Sequence, residues 1–140
     1  MGLFVDKNIA TALSKVKDVI AENEQMLGDL DAVAGDGDHG AGMTRGSKAA
    51  AEAALALVKD GAGAQTTLAG AGARWAEQAG GASGALWGAA LTAAGNALGD
   101  DKDVDLNAQA KAIRAFVNSI IGLGGASVKD KTMLDAQAPF

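Results

Sequence analysis

The sequence predicts an all-α protein, an up-and-down bundle of about six antiparallel helices, on three observations. Apolar residues recur at steps of three and four along successive stretches, the spacing that lines one face of a helix. No run sustains the alternation of period two that a half-buried strand requires. The one proline, Pro139, lies outside every candidate helix interior. Alanine and glycine dominate the composition, and small side chains let helices approach closely.

The first helix is expected from about Lys7 to Asn23, striped by Ile9, Leu13, Val16 and Ile20. Leu27 and Leu30 continue that stripe past an expected irregularity at Gly28. The second runs from His39 or Gly40 to Val58, through Met43, Ala50, Ala54 and Leu57. The third spans Gln65 to Ala79 with Leu68 and Trp75 on one side. The fourth starts near Ser83 and ends at Leu98, carrying Leu86, Trp87 and Leu91. The fifth, Leu106 to Leu123, presents Ile113, Phe116, Val117 and Ile120. Met133-Leu134 opens a sixth. No repeat or low-complexity linker divides the chain, so residues 1–140 read as one domain.

Glycine-rich turns fall after every second helix, at 35–42, 80–84 and 122–132. In an up-and-down bundle such turns share one end. All three are therefore expected around one site.

Charge and cysteine content exclude several classes. The formal net charge is −5 with no basic stretch, which argues against nucleic acid as a partner. Cysteine is absent, which removes disulfides, a thiol nucleophile and cysteine-ligated zinc, and suits a reducing cytosol. The N-terminus lacks the apolar core of a signal peptide. No apolar run reaches the ~18 residues of a membrane span. Asp6 stands where a myristoylation motif wants Ser or Thr. A cytoplasmic protein without membrane association is expected.

The chemistry is concentrated in Leu30–Gly46, LDAVAGDGDHGAGMTRG. Asp36 and Asp38, two residues apart in glycine-rich backbone, can point the same way, and Asp31 can join them from upstream. Carboxylates this crowded repel one another, and an all-oxygen set suits Mg²⁺ or Ca²⁺ rather than zinc. A solvated acidic turn capping the next helix, with Asp38 as N-cap, fits the same residues. His39, the sole histidine, reads either as a helix-start residue or as a phosphate contact. An EF-hand loop from Asp36 fails, because Gly40 and Ser47 stand where an oxygen ligand and Glu are needed. Gly35-x-Gly37-x-x-Gly40 matches a dinucleotide fingerprint only in letters, since it follows a helix and carries aspartates where pyrophosphate would lie. Lacking acidic or thiol partners at suitable spacing, His39 does not indicate a catalytic triad.

Gly80-Gly81-Ala82-Ser83-Gly84 precedes a helix, whose free N–H groups favour anions; close helix packing explains the same glycines. Gly124-Gly125-Ala126-Ser127 is a second such turn, with Lys129 and Lys131 nearby. Met133 and the tryptophans are the residue types of a core. Taken together, metal-binding carboxylates beside two anion-friendly turns describe a magnesium–phosphate site, and a nucleotide needs both.

LDAVAGDGDHGAGMTRG, GGASGALWG and GGASVKDKTMLDAQAP, in this order, resemble the L subunit, or ATP-binding domain, of dihydroxyacetone kinases. The similarity extends over nearly the whole chain. It implies an antiparallel helical barrel with the nucleotide, ATP or ADP, at one rim. It implies that Asp31, Asp36 and Asp38 hold a pair of Mg²⁺ ions bridging the phosphates. It places nucleotide contacts at His39, Gly40, Ala41, Gly42, Ala82, Ser83, Gly124 and Met133. The implied partner is a K subunit holding dihydroxyacetone covalently on a histidine, or, in phosphotransferase-linked members, also a phosphocarrier protein that rephosphorylates ADP. Related domains serve kinases of other small ketoses and of fatty acids. A cage of carboxylates without a protein nucleophile suits phosphoryl transfer, which is largely positioning and charge neutralisation.

Two departures accompany the resemblance. Gly42 stands where many relatives carry asparagine. The family domain also continues with two more helices and a covering loop, so the chain reads as its N-terminal two-thirds. An incomplete barrel would expose apolar helix faces and favour a homodimer, and a non-catalytic binding module is the alternative to a kinase.

Overall fold

The computed structural model describes residues 5–100 and 104–139. Seven helices and no strand occur among them. They are α1 (Val5–Glu22), α2 (Glu24–Asp31), α3 (His39–Lys59), α4 (Ala64–Ala79), α5 (Gly81–Leu98), α6 (Leu106–Gly124) and α7 (Met133–Gln137). The all-α reading holds, with one helix more than expected.

The extra helix arises because the first one breaks at Asn23 and not at Gly28. The Asn23 side chain donates to the Val19 carbonyl at 2.7 Å, and its backbone N–H reaches back only to Ile20 at 3.1 Å. A side-chain amide competing for a helix carbonyl interrupts the regular ladder. Gly28 lies inside α2, where its bare Cα faces the Gly37 carbonyl.

The helices form a row: α1 packs on α3, α3 on α4, α4 on α5 and α5 on α6. Short loops make α3 to α6 successive antiparallel neighbours. The smaller helices lean on this row, α2 on α3 and α7 on α6. Trp75 of α4 is 1% exposed and stacks on Trp87 of α5, centroids 5.2 Å apart. Trp87 in turn meets Phe116 of α6 edge-on at 5.6 Å. Beside these rings, with Thr67, Leu68 and Leu91, the buried faces of α4 and α5 are alanine and glycine. A Cβ at Gly72 would stand 2.5 Å from the Gly88 carbonyl, and one at Gly88 2.6 Å from that of Gly72. Backbones this close explain the small-residue composition.

The row does not close. Among the described residues the backbones of α1 and α6 do not approach each other closely. An apolar cavity of about 500 Å³ lies between them, lined by Ile9, Leu68, Leu91, Leu98, Ile113 and Phe116 among others. The expectation of exposed apolar helix faces is met here. No helix of the described residues is long and apolar enough to cross a membrane.

One tie spans the far end of α4. The Asp100 carboxylate accepts from the Thr66 backbone N–H at 2.9 Å and from its hydroxyl at 2.7 Å. It thereby caps α4 from a distant loop, and these bonds hold its carboxyl below the usual range. A lowered carboxyl contributes stability above its unfolded pKa that is lost as pH falls through its folded one. Asp100→Ala is expected to lower Tm at neutral pH, and the difference should vanish in acid. Thermal melts across pH check this; a gap unchanged down to strong acid would contradict it.

Candidate functional site

The acidic turn is built by α2 ending and α3 beginning within a few residues. Asp31 closes α2, and its side chain is half-buried, while Asp36 and Asp38 are exposed. One carboxylate oxygen from each lies within 4.8 Å of the others. The sequence reading of three converging carboxylates is met by this geometry.

The capping is different from the sequence expectation. Asp38 occupies the N-cap position of α3 but makes no capping hydrogen bond. Asp31 does that work from eight residues upstream, accepting the His39 N–H at 3.2 Å. The Asp38 carboxylate is thereby left free to face its neighbours. Its carboxyl is held above the usual range, first by the charge of Asp36, with Asp31 adding to it and Arg45 opposing. An oxygen-only, mutually repelling trio is the donor set a hard divalent cation fits.

Beside this turn lies the Gly80 turn. Gly80 ends α4 and begins α5 with φ +68°, so α5 starts at Gly81, two residues before the expected Ser83. The first N–H groups of a helix have no partner within it, and they favour an anion. A gap of about 160 Å³ separates the two turns, lined by Asp38, His39, Gly42, Met43, Ala79 and Gly80–Ser83.

Of the nucleotide contacts expected from sequence, His39, Gly42, Ala82 and Ser83 line this gap. His39 is both things at once, a helix-start residue bonded to a carboxylate through its backbone and a lining residue of the gap. Gly40 and Ala41 do not line it. Gly40 faces the other way, against the backbone of α2 at Glu24. Gly124 and Met133 do not line it either. Gly124 ends α6 beside Leu86 of α5, so the third turn shares this end of the bundle without entering the gap.

Two contributors were not singled out as site residues from sequence. Met43 lies at the gap with its Sδ 3.6 Å from the Ser83 hydroxyl, which donates to it. Arg45 donates through Nε to the Gln78 carbonyl at 3.3 Å, joining α3 to the last turn of α4. Spacing carried a signal for Arg45, since positions 38, 42 and 45 share one helix face.

Fold and site together define a class: an all-α domain in which a carboxylate turn and a glycine turn meet at one end of a helical row. The chain belongs to the DAK2 domain family, whose match spans residues 33–140. It is similar to an L-erythrulose 1-kinase of Mycolicibacterium smegmatis, 54% identical over 134 residues, covering 96% of this chain and 24% of that one. A D-erythrulose kinase of the same organism is 50% identical over 132 residues, covering 94% and 23%. The ADP-binding subunit DhaL of a PEP-dependent dihydroxyacetone kinase of Listeria innocua is 35% identical over 120 residues, covering 86% and 59%. The chain spans about a quarter of the length of the first two.

Proposed function

We propose that this chain is the nucleotide-binding part of a kinase that phosphorylates a small ketose. The observation that carries the reading is the gap itself. It sets Asp38, one member of the carboxylate trio, against the N-terminus of α5, so metal and phosphate are favoured side by side. Asp31, Asp36 and Asp38 would hold Mg²⁺, which when bound neutralises phosphate charge. The backbone of Gly81–Ser83 and the Ser83 hydroxyl would orient the phosphates of ATP or ADP. His39 and Gly42 form the opposing wall. These groups bind and align; none is placed to act as a nucleophile, and phosphoryl transfer does not need one.

The acceptor is a short ketose of the dihydroxyacetone or erythrulose kind, held by a separate K-type domain or subunit. Relatives named for L-erythrulose, D-erythrulose and dihydroxyacetone share this piece, which supports a role common to all three and leaves sugar choice to the partner.

Isothermal titration with ADP in excess Mg²⁺ tests the reading. The full chain is expected to bind, and Asp36→Ala to lose binding by at least ~100-fold, beyond what loss of a mere supporting group costs a metal site. Failure of the unaltered chain to bind, or undiminished binding by Asp36→Ala, would sink it.

A further inference from the structure

Arg45 stands at the seam between α3 and the last turn of α4, beside the gap. It follows Asp38 and Gly42 on the same face of α3, and both of those residues line the gap. Its Nε–H is fastened to the carbonyl of Gln78, two residues before the Gly80 turn. A Cβ at Gly42 would lie 3.3 Å from the Ala79 carbonyl and 3.9 Å from Arg45 Nη2. With no side chain at 42, the guanidinium therefore lies close beside the wall of the gap. Its charge also bears on Asp38, opposing the rise that Asp36 and Asp31 impose on that carboxyl.

We propose that Arg45 is a positioning residue of the phosphate gap, pinning the start of α3 to the end of α4 and biasing the site toward a metal–phosphate pair over a bare metal ion. This rests on the nucleotide reading above. The bias follows from charge. A bare divalent cation among the three carboxylates is repelled by the guanidinium, whereas the anionic phosphates are drawn to it. Removing the charge should therefore move the two affinities in opposite directions. A role confined to holding the helices together would weaken both.

The test uses the full chain, Arg45→Met and Arg45→Lys, with circular dichroism to verify helicity. Bare Mn²⁺ binding is read by electron paramagnetic resonance, and Mg²⁺–ADP binding by calorimetry. For a unit charge at the protein surface, Arg45→Met should bind Mn²⁺ about two- to fivefold tighter. It should bind Mg²⁺–ADP about tenfold more weakly, because the pin is lost as well as the charge. Arg45→Lys keeps the charge without the planar fork, so its Mn²⁺ affinity should match the unaltered chain while Mg²⁺–ADP binding is only partly restored. Both affinities falling together, or neither moving, overturns the assignment of Arg45 alone. Absence of Mg²⁺–ADP binding by the unaltered chain overturns the site reading and this inference with it.

Discussion

Gly40→Val is expected to cost the domain about 3 kcal/mol or more and to impair the acidic site at the same time. A Cβ at position 40 would stand 2.0 Å from the Glu24 carbonyl oxygen, 2.9 Å from its carbon and 3.0 Å from the Gly28 nitrogen. All three are backbone atoms of α2 or its first residue, so no rotamer change relieves the clash. Either α2 lifts from α3, or α3 shifts from its neighbours. Overpacking against side chains costs about 1–3 kcal/mol, and backbone yields less readily. Against a typical stability of about 5–15 kcal/mol that is a large loss. The functional consequence comes from position. Asp31 ends α2, so displacing that helix carries one carboxylate away from the other two. Thermal denaturation and Mn²⁺ titration of the same variant should show both losses. A variant that melts like the unaltered chain would show that α2 and α3 are not in this contact.

Gly40 also marks the limit of what local sequence patterns encode. Local rules made the helices legible: α3 starts at His39 as expected, α6 begins at Leu106, and α1, α4 and α5 fall within a few residues of their apolar stripes. The same rules found the carboxylate trio, because Asp31, Asp36 and Asp38 are close in the chain. They placed the Gly35 and Gly80 turns at one end by counting helices, and the gap between them bears this out. Pairings between distant residues escaped. Asp100 with Thr66, and Arg45 with Gln78, join positions more than thirty residues apart. No periodicity encodes which partner a side chain meets across a seam. The resemblance places Gly40 among the nucleotide contacts, and its Cα faces the α2 backbone at Glu24, a packing role that the motif does not encode. The break at Asn23 is equally silent in the sequence pattern, because a side chain competing for its own helix leaves the apolar stripe intact.

Asp38→Asn should change sign with metal. In a chelator, the three carboxylates confront one another with nothing between them, and the Asp38 carboxyl is held above its usual range chiefly by Asp36. A raised carboxyl favours the folded state when protonated, and that contribution is lost as pH rises through its folded pKa. At neutral pH the unaltered chain therefore carries a repulsion that asparagine removes. Asp38→Asn is expected to melt higher than the unaltered chain in chelator, and the difference should shrink as pH falls toward the carboxylate range. Saturating Mg²⁺ reverses the order. A ligand that binds only the folded state adds stability in proportion to the logarithm of its concentration over Kd. Losing one of three ligands should weaken divalent-cation binding by at least ~100-fold, which leaves the variant little to gain. Two melting curves for each protein, with chelator and with Mg²⁺, thus give a crossover that neither a capping role nor a merely solvated turn produces. If Asp38 served chiefly to cap α3, the variant would melt at or below the unaltered chain in both. The absent capping bond at Asp38, whose place Asp31 takes, is why the crossover is the expected result.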